Sequence, residues 1–272
     1  MAKPRRKRAA ALRAQPEYFE LSILGGAVER RYRRFRPELE KLPWGSLAAM
    51  KMPASLRARA REIWTGMAFF EYRAAAAMSM TVHALAVARA PIDLVAVASR
   101  FITEELSHAE LCARVLGELG GGVPFEIDPE NVYPPPPAEF SPFMRAADLA
   151  TRVFVLGEAF SLSVSHAALP HHSHPLVAAI QRRIAKDEAA HGAFGWIVLD
   201  WAAERFTDED RSHIDGLIHE GVASYRQLID EQVDSDEPTL GWLRARDFRR
   251  YAEQALEYDI CAPMRARGLY TG

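Results

Sequence analysis

Two short stretches constrain this chain more than any others: Glu104-Glu105-Leu106-Ser107-His108 and Lys186-Asp187-Glu188-Ala189-Ala190-His191. Each contains Glu-x-x-His. Residues three apart share a helix face, so each stretch can bring a carboxylate and an imidazole to one metal ion. One such match carries little weight. A chain with 23 Glu and 9 His in 272 residues yields about one by chance. The order along the chain says more. Glu71 lies 34 residues before Glu105, a proline-rich break follows His108, and Glu158 lies 30 residues before Glu188. Each gap suits one helix, a short turn and a return to the same level. The chain therefore reads as a duplicated helical hairpin with its polar residues at matching heights.

The surroundings of the two lone glutamates agree. Glu158 is the only acid between Leu149 and Pro170, and Glu71 sits in Met67-Ala68-Phe69-Phe70-Glu71-Tyr72, ahead of Ala74 to Ala77. An unpaired carboxylate on an apolar helix face costs several kcal/mol to bury. A metal removes that cost. The plainer alternative pairs Glu71 with Arg73, and Glu158 with Arg152 or Arg182.

Taken in order, residues 1–15 are expected to be disordered. Glu17 to Arg36 holds a short helix broken at Gly25-Gly26, and Pro37 to Pro53 connects. Helix runs are expected at Ser55–Pro91, Ile92–Leu119, Pro142–Leu169, Pro175–Phe206, from the Thr207-Asp208-Glu209-Asp210 cap to Val233, and Thr239–Tyr258. Gly120 to Pro142, with Pro134 to Pro137 extended, makes a long crossover between the two hairpins. Three regions follow: 1–54, a basic arm and short helix; 55–206, the metal-binding bundle; 207–272, helices packed on it. The fold class is all-α.

Through the set Glu71, Glu105, His108, Glu158, Glu188 and His191, the chain resembles the ferritin-like di-iron carboxylate superfamily. Its members take a Glu from each of two helices and Glu-x-x-His from each of the other two. The resemblance spans about Ser55 to Arg205. It implies a four-helix bundle with one long crossover, here with additional N- and C-terminal helices. Glu71, Glu105 and His108 would serve one iron, Glu158, Glu188 and His191 the other, with some glutamates bridging. In bacterial multicomponent monooxygenases and acyl-carrier-protein desaturases, the acid just before each motif hydrogen-bonds the opposite histidine. That carries over to Asp187 with His108 and to Glu104 with His191. Arylamine N-oxygenases have an extra His one turn before the last motif. Ile184 stands there, which argues against that subgroup.

The expected chemistry follows from the ligands. Carboxylates with two imidazoles suit Fe(II), and also Mn(II). The cofactors expected are two Fe ions, with Mn as the other candidate, and O2 as co-substrate. The leading expectation is a non-haem di-iron oxygenase or oxidase acting on a small organic molecule with an external electron donor, with a homodimer as a candidate assembly. The alternative is a ferroxidase or peroxide scavenger of ferritin or rubrerythrin type. It lacks the usual built-in donor, because Cys112 and Cys261 form no Cys-x-x-Cys pair. A third reading, a metal-free helical interaction protein, predicts that replacing Glu105 or Glu188 by Gln changes little. Small residues beside the ligands (Ala74, Ala75, Gly157, Ala159, Gly192, Gly195) leave room for substrate or allow close packing. Cys112 and Tyr72 lie near the ligands. The loop histidines His171, His172 and His174 read as a plain loop.

Composition narrows the partners. A formal net charge of −2 gives no global attraction to nucleic acid or membrane. Two basic clusters, Arg5-Arg6-Lys7-Arg8 and Arg30 to Arg36, lie in the first 36 residues; the basic terminus reads as a solvated, disordered arm, with a transit-like or polyanion-binding arm as the alternative. No apolar run looks long enough to span a membrane, and no secretory signal follows the basic start. A cytoplasmic setting is expected.

Overall fold

Prolines place the starts of the long helices. A computed structural model describes residues 17–233 and 239–272, so the basic cluster at Arg5 to Arg8 lies outside the described residues. Helix α1 (Gly26–Arg33) precedes α2 (Ala54–Val87), which begins just after Pro53, and α3 (Ile92–Leu119), which begins just after Pro91. Helix α4 (Pro142–Leu149) and α6 (Pro175–Ala203) each have proline in the first turn, where its missing N–H costs nothing. Ser141 caps α4, its Oγ accepting from Met144 N at 3.1 Å. α4 passes without interruption into a π-helical stretch, Ala150–Ala159, and then α5 (Phe160–Ala168).

The turns are closed by left-handed residues. Gly120 ends α3 with φ 94°, and Gly121 N–H reaches Leu116 C=O at 2.7 Å. The same motif ends α2, with Ala90 N–H on Leu85 C=O at 3.0 Å, but the left-handed residue there is Arg89, φ 55°. A side chain is strained in that conformation.

The four long helical runs match the expected boundaries closely. α2 packs along α3, α6 packs on the π-helical stretch and α5, and α3 meets α6. Two apolar layers result. One contains Met78, Phe101, Phe154 and Phe194. The other contains Trp64, Leu111, Leu176 and Ile184. The acidic and imidazole side chains lie between these layers. A third apolar cluster joins Val155, Leu156 and Leu199 to Ile214, Ile218 and Ile260. It docks α7 (Asp208–Asp230), whose Thr207–Asp210 capping box is formed, and the last helices.

Several expectations need correcting. Gly25-Gly26 starts α1 rather than breaking a helix. Glu17–Tyr18 is a short strand paired antiparallel with Glu126–Ile127, which fastens the N-terminal segment to the crossover. The last helix begins at α8 (Ala245–Gln254), not at Thr239, and does not stop at Tyr258. It continues through a π-helical stretch, Ala255–Cys261, into α9 (Ala262–Ala266). The wider turn gives room to Pro263, whose ring would clash inside a regular α-helix. The continuous helix Pro142–His171 is also long and apolar enough to cross a membrane by length and composition, contrary to expectation. Ala150, Phe154 and Val155 of this helix are fully buried in the core, and an interior helix needs the same apolar character.

The segment before α2 is strapped across α3. Arg33 pairs with Glu29, Glu40 and Glu110. Glu118 accepts the backbone N–H groups of Gly45, Leu47 and Ala48. Within the Arg30–Arg36 cluster, Arg33 is therefore a structural residue.

Candidate metal centre

The spacing of three within each motif turns Glu105 and His108 of α3, and Glu188 and His191 of α6, toward one another. His108 Nδ1 lies 3.5 Å from Glu71, 3.6 Å from Glu105 and 3.4 Å from Glu188. His191 Nδ1 lies 2.9 Å from Glu105, 3.2 Å from Glu188 and 3.9 Å from Glu158. Two groups could each hold a metal ion: Glu71, Glu105, His108 and Glu188; and Glu105, Glu158, Glu188 and His191. Glu105 and Glu188 belong to both. All six residues singled out in the sequence converge here.

The residues fit a pair of divalent cations on two counts. First, both Nδ1 atoms, both Glu105 carboxylate oxygens and Glu188 Oε2 are buried without a hydrogen-bond partner. Such orphans cost about 1–3 kcal/mol each, and a cation between them would satisfy all of them. Second, four carboxylates beside neutral imidazoles match the charge of two divalent ions. Burial, with the neighbouring Glu105 and Glu188 charges, pushes the Glu71 carboxyl up to about 8, and burial raises Glu158 well above the carboxylate range. Burial opposes charging of His108 and His191, yet the carboxylates around them outweigh it and raise both.

The outer ring nitrogens are held by the two expected acids. His108 Nε2 is 3.3 Å from Asp187, and His191 Nε2 is 3.0 Å from Glu104. An Nε2–H donated to a carboxylate leaves the Nδ1 lone pair facing inward. Both acids are buried, and arginines compensate them. Arg183 grips Asp187 at 2.7 and 2.8 Å, and Arg100 reaches Glu104 at 2.7 Å. Arg36 joins the two, at 3.0 Å from Glu104 and 3.3 Å from Asp187. The sequence reading missed these arginines. Arg100 and Arg183 each stand four residues before their acid, a helical pairing signal. Arg36 has no local signal.

The Glu71 and Glu158 side is different. Glu158 projects from the π-helical stretch, where Tyr225 donates its hydroxyl proton to Leu156 C=O. A cavity of about 770 Å³ reaches Glu71, Glu158 and Glu188 and is otherwise largely apolar, with Phe70, Leu156 and Ile184 among its walls. Ala74 and Gly157 also line it. Gly192 and Gly195 serve close packing instead. A Cβ on Gly195 would lie 2.7 Å from Phe154 Cβ, and one on Gly192 would lie 3.0 Å from Leu162.

The other candidates belong to neither donor group. Arg152 pairs with Asp148 and Arg73 Nε donates to Val132 C=O, so neither takes a ligand glutamate. Cys112 is buried in an apolar cluster, and burial raises its thiol pKa. Tyr72 is partly exposed and packs on Phe19. Among the described residues, His171, His172 and His174 form no metal-competent group. Comparisons with protein-family models, curated proteins and solved structures gave no match, so the functional reading stands on the geometry of this site.

Proposed function

We propose that this chain is a ferritin-like, non-haem di-iron oxygenase or oxidase that uses O2 to oxidise a small organic substrate, with an external electron donor. Two donor sets that share Glu105 and Glu188, opening on one side into an apolar cavity, carry this reading. Glu71, Glu105 and His108 would hold one iron, and Glu158, Glu188 and His191 the other, with Glu105 and Glu188 placed to bridge. A carboxylate-rich set suits Fe(II), with Mn(II) the other candidate. Metals held by these residues would supply the electrons and open coordination positions that O2 activation needs. The chain's own residues do the rest. Asp187 and Glu104 fix the imidazole orientation, three arginines neutralise those acids, and the cavity walls exclude water and hold an apolar molecule beside the metals. Storage or peroxide removal needs no cavity of this size and character.

The test is metal analysis of protein loaded with Fe(II) without air, followed by visible spectra on adding O2. The expected outcome is about two irons per chain, one for each donor group, and a transient O2-dependent band. Folded protein that retains no metal would sink the proposal.

A further inference from the structure

Helix α1 shows its polar side to the protein and an apolar, basic side to water. Phe35 N–H reaches Tyr32 C=O at 3.0 Å, so the helical path runs on past Arg33. Glu29, Tyr32, Arg33 and Arg36 stand at intervals of three, four and seven, one face of a helix, and that face is turned inward. The Tyr32 hydroxyl donates to Leu106 C=O, Arg33 pairs with Glu29 and Glu110, and Arg36 reaches Glu104 and Asp187. The outward face carries Val28, Arg31 and Phe35 at intervals of three and seven, with Arg30 and Arg34 beside them, and all five are exposed. Leu24, just before the helix, is 88% exposed, Phe35 65% and Val28 60%. Single exposed apolar residues are ordinary, but three large ones on one short segment mark a contact surface.

The outward face is also unbalanced in charge. Among the described residues, Arg30, Arg31 and Arg34 make no ion pair. The acids nearest in the chain are already answered or lie elsewhere. Arg33 pairs with Glu29, Arg183 with Glu38, and Arg33 and Arg114 with Glu40. Glu20 lines a cavity between the Glu17–Tyr18 strand and helices α2 and α3. The formal net charge of −2 averages the patch away, but a charged surface acts through its local field. The occupant must therefore be anionic and offer apolar depth. A second copy fails, because a two-fold contact through this face sets arginines against arginines. An anionic lipid surface supplies both needs. Its acidic head groups lie at one level and hydrocarbon just beneath, with no side-chain spacing to match.

We propose that this face docks the protein on an anionic lipid surface: Leu24, Val28 and Phe35 enter the head-group layer, and Arg30, Arg31 and Arg34 meet its phosphates. Val28 and Phe35 are seven residues apart, about 10 Å along the helix, so both ends of the strip enter together when α1 lies flat. The docking does not rest on the di-iron reading.

Co-sedimentation of the whole chain with vesicles tests it, using phosphatidylcholine alone and phosphatidylcholine mixed with phosphatidylglycerol. Binding is expected on the mixed vesicles, at least about tenfold weaker on the neutral ones, and falling as salt rises, since each basic residue near an anionic membrane is worth about fivefold. Arg31→Glu with Arg34→Glu is expected to weaken binding to the mixed vesicles at least about 25-fold, and Leu24→Ser with Phe35→Ser at least about tenfold. Circular dichroism checks that both double variants fold. Equal binding to the two kinds of vesicle, or none to either, overturns the proposal. So does unchanged binding in either double variant, since the Arg5–Arg8 cluster would then carry it. Polyglutamate bound where vesicles are not would assign the face to an acidic protein. A dimer in analytical sedimentation that Leu24→Ser with Phe35→Ser dissolves would assign it to a second copy. Each overturns the lipid reading. Protein that holds two irons but binds no vesicles leaves the di-iron reading standing.

Discussion

The candidate metal site has two faces built by opposite rules. On the histidine face, each imidazole Nε2 meets an acid and each acid meets two arginines, all within 3.3 Å. Among the described residues, the glutamate face has no such scaffold. Glu71 and Glu158 border a cavity, and Glu158 springs from a π-helical turn. The contrast separates two jobs. The closed face holds geometry, because buried charges with their partners in place have little freedom to move. The open face leaves a cavity. On the proposed function, a site that both binds metals firmly and admits a substrate needs this asymmetry.

The most damaging changes should be those that strike the shared glutamates. Glu105→Gln or Glu188→Gln touches both donor groups and is expected to abolish retention of both metals. At a metal concentration a thousandfold above Kd, losing binding removes about 4 kcal/mol of ligand-linked stability, visible as a lost metal-induced rise in Tm. Glu71→Gln or Glu158→Gln touches one group only and should leave about one metal per chain, since each occurs in a single group. Elemental analysis tells the cases apart, and equal losses in all four variants would break the distinction.

Next comes the closed face. Asp187→Asn should weaken metal binding by about 10–100-fold, measured by competition with a chelator. Arg36→Met should cost about 1–2 kcal/mol in denaturant unfolding. That is less than breaking an isolated buried pair, because Arg183 and Arg100 remain on the two acids. On the open face, Ala74→Leu fills the cavity without touching a ligand. Two metals per chain should stay bound, as elemental analysis would show. Loss of metal in this variant would mean that the two faces are not separable. The smallest effect serves as a control: Arg89→Gly relieves a left-handed residue and should raise stability by a few tenths to about 1 kcal/mol, with both faces unchanged.

The closed face was half legible in the sequence and the open face hardly at all. Glu105, His108, Glu188 and His191 could be read because a helix turns spacing directly into direction. Asp187 and Glu104 followed through the family resemblance. Helix limits such as Ile92–Leu119 were marked by Pro91 and by the Gly120–Gly122 run. Arg36 was hidden because its partners come from distant helices, and an arginine run looks alike whether solvated or folded onto acids. The π-helical stretch under Glu158 leaves no mark in a run of Val, Phe and Leu. The unpaired Gln181 amide looks in sequence like any polar residue on α6.

The Arg36 contact also sets an order in time. Its two acceptors lie on α3 and α6, and Asp187 is 151 residues further along the chain. During synthesis the strap leaves the ribosome long before α6 exists, so it cannot close the histidine face until almost the whole helical core has emerged. Glu188 and His191 leave the ribosome with Asp187, so the far partner of the strap and the second half of the donor set arrive together, with Arg36 already waiting.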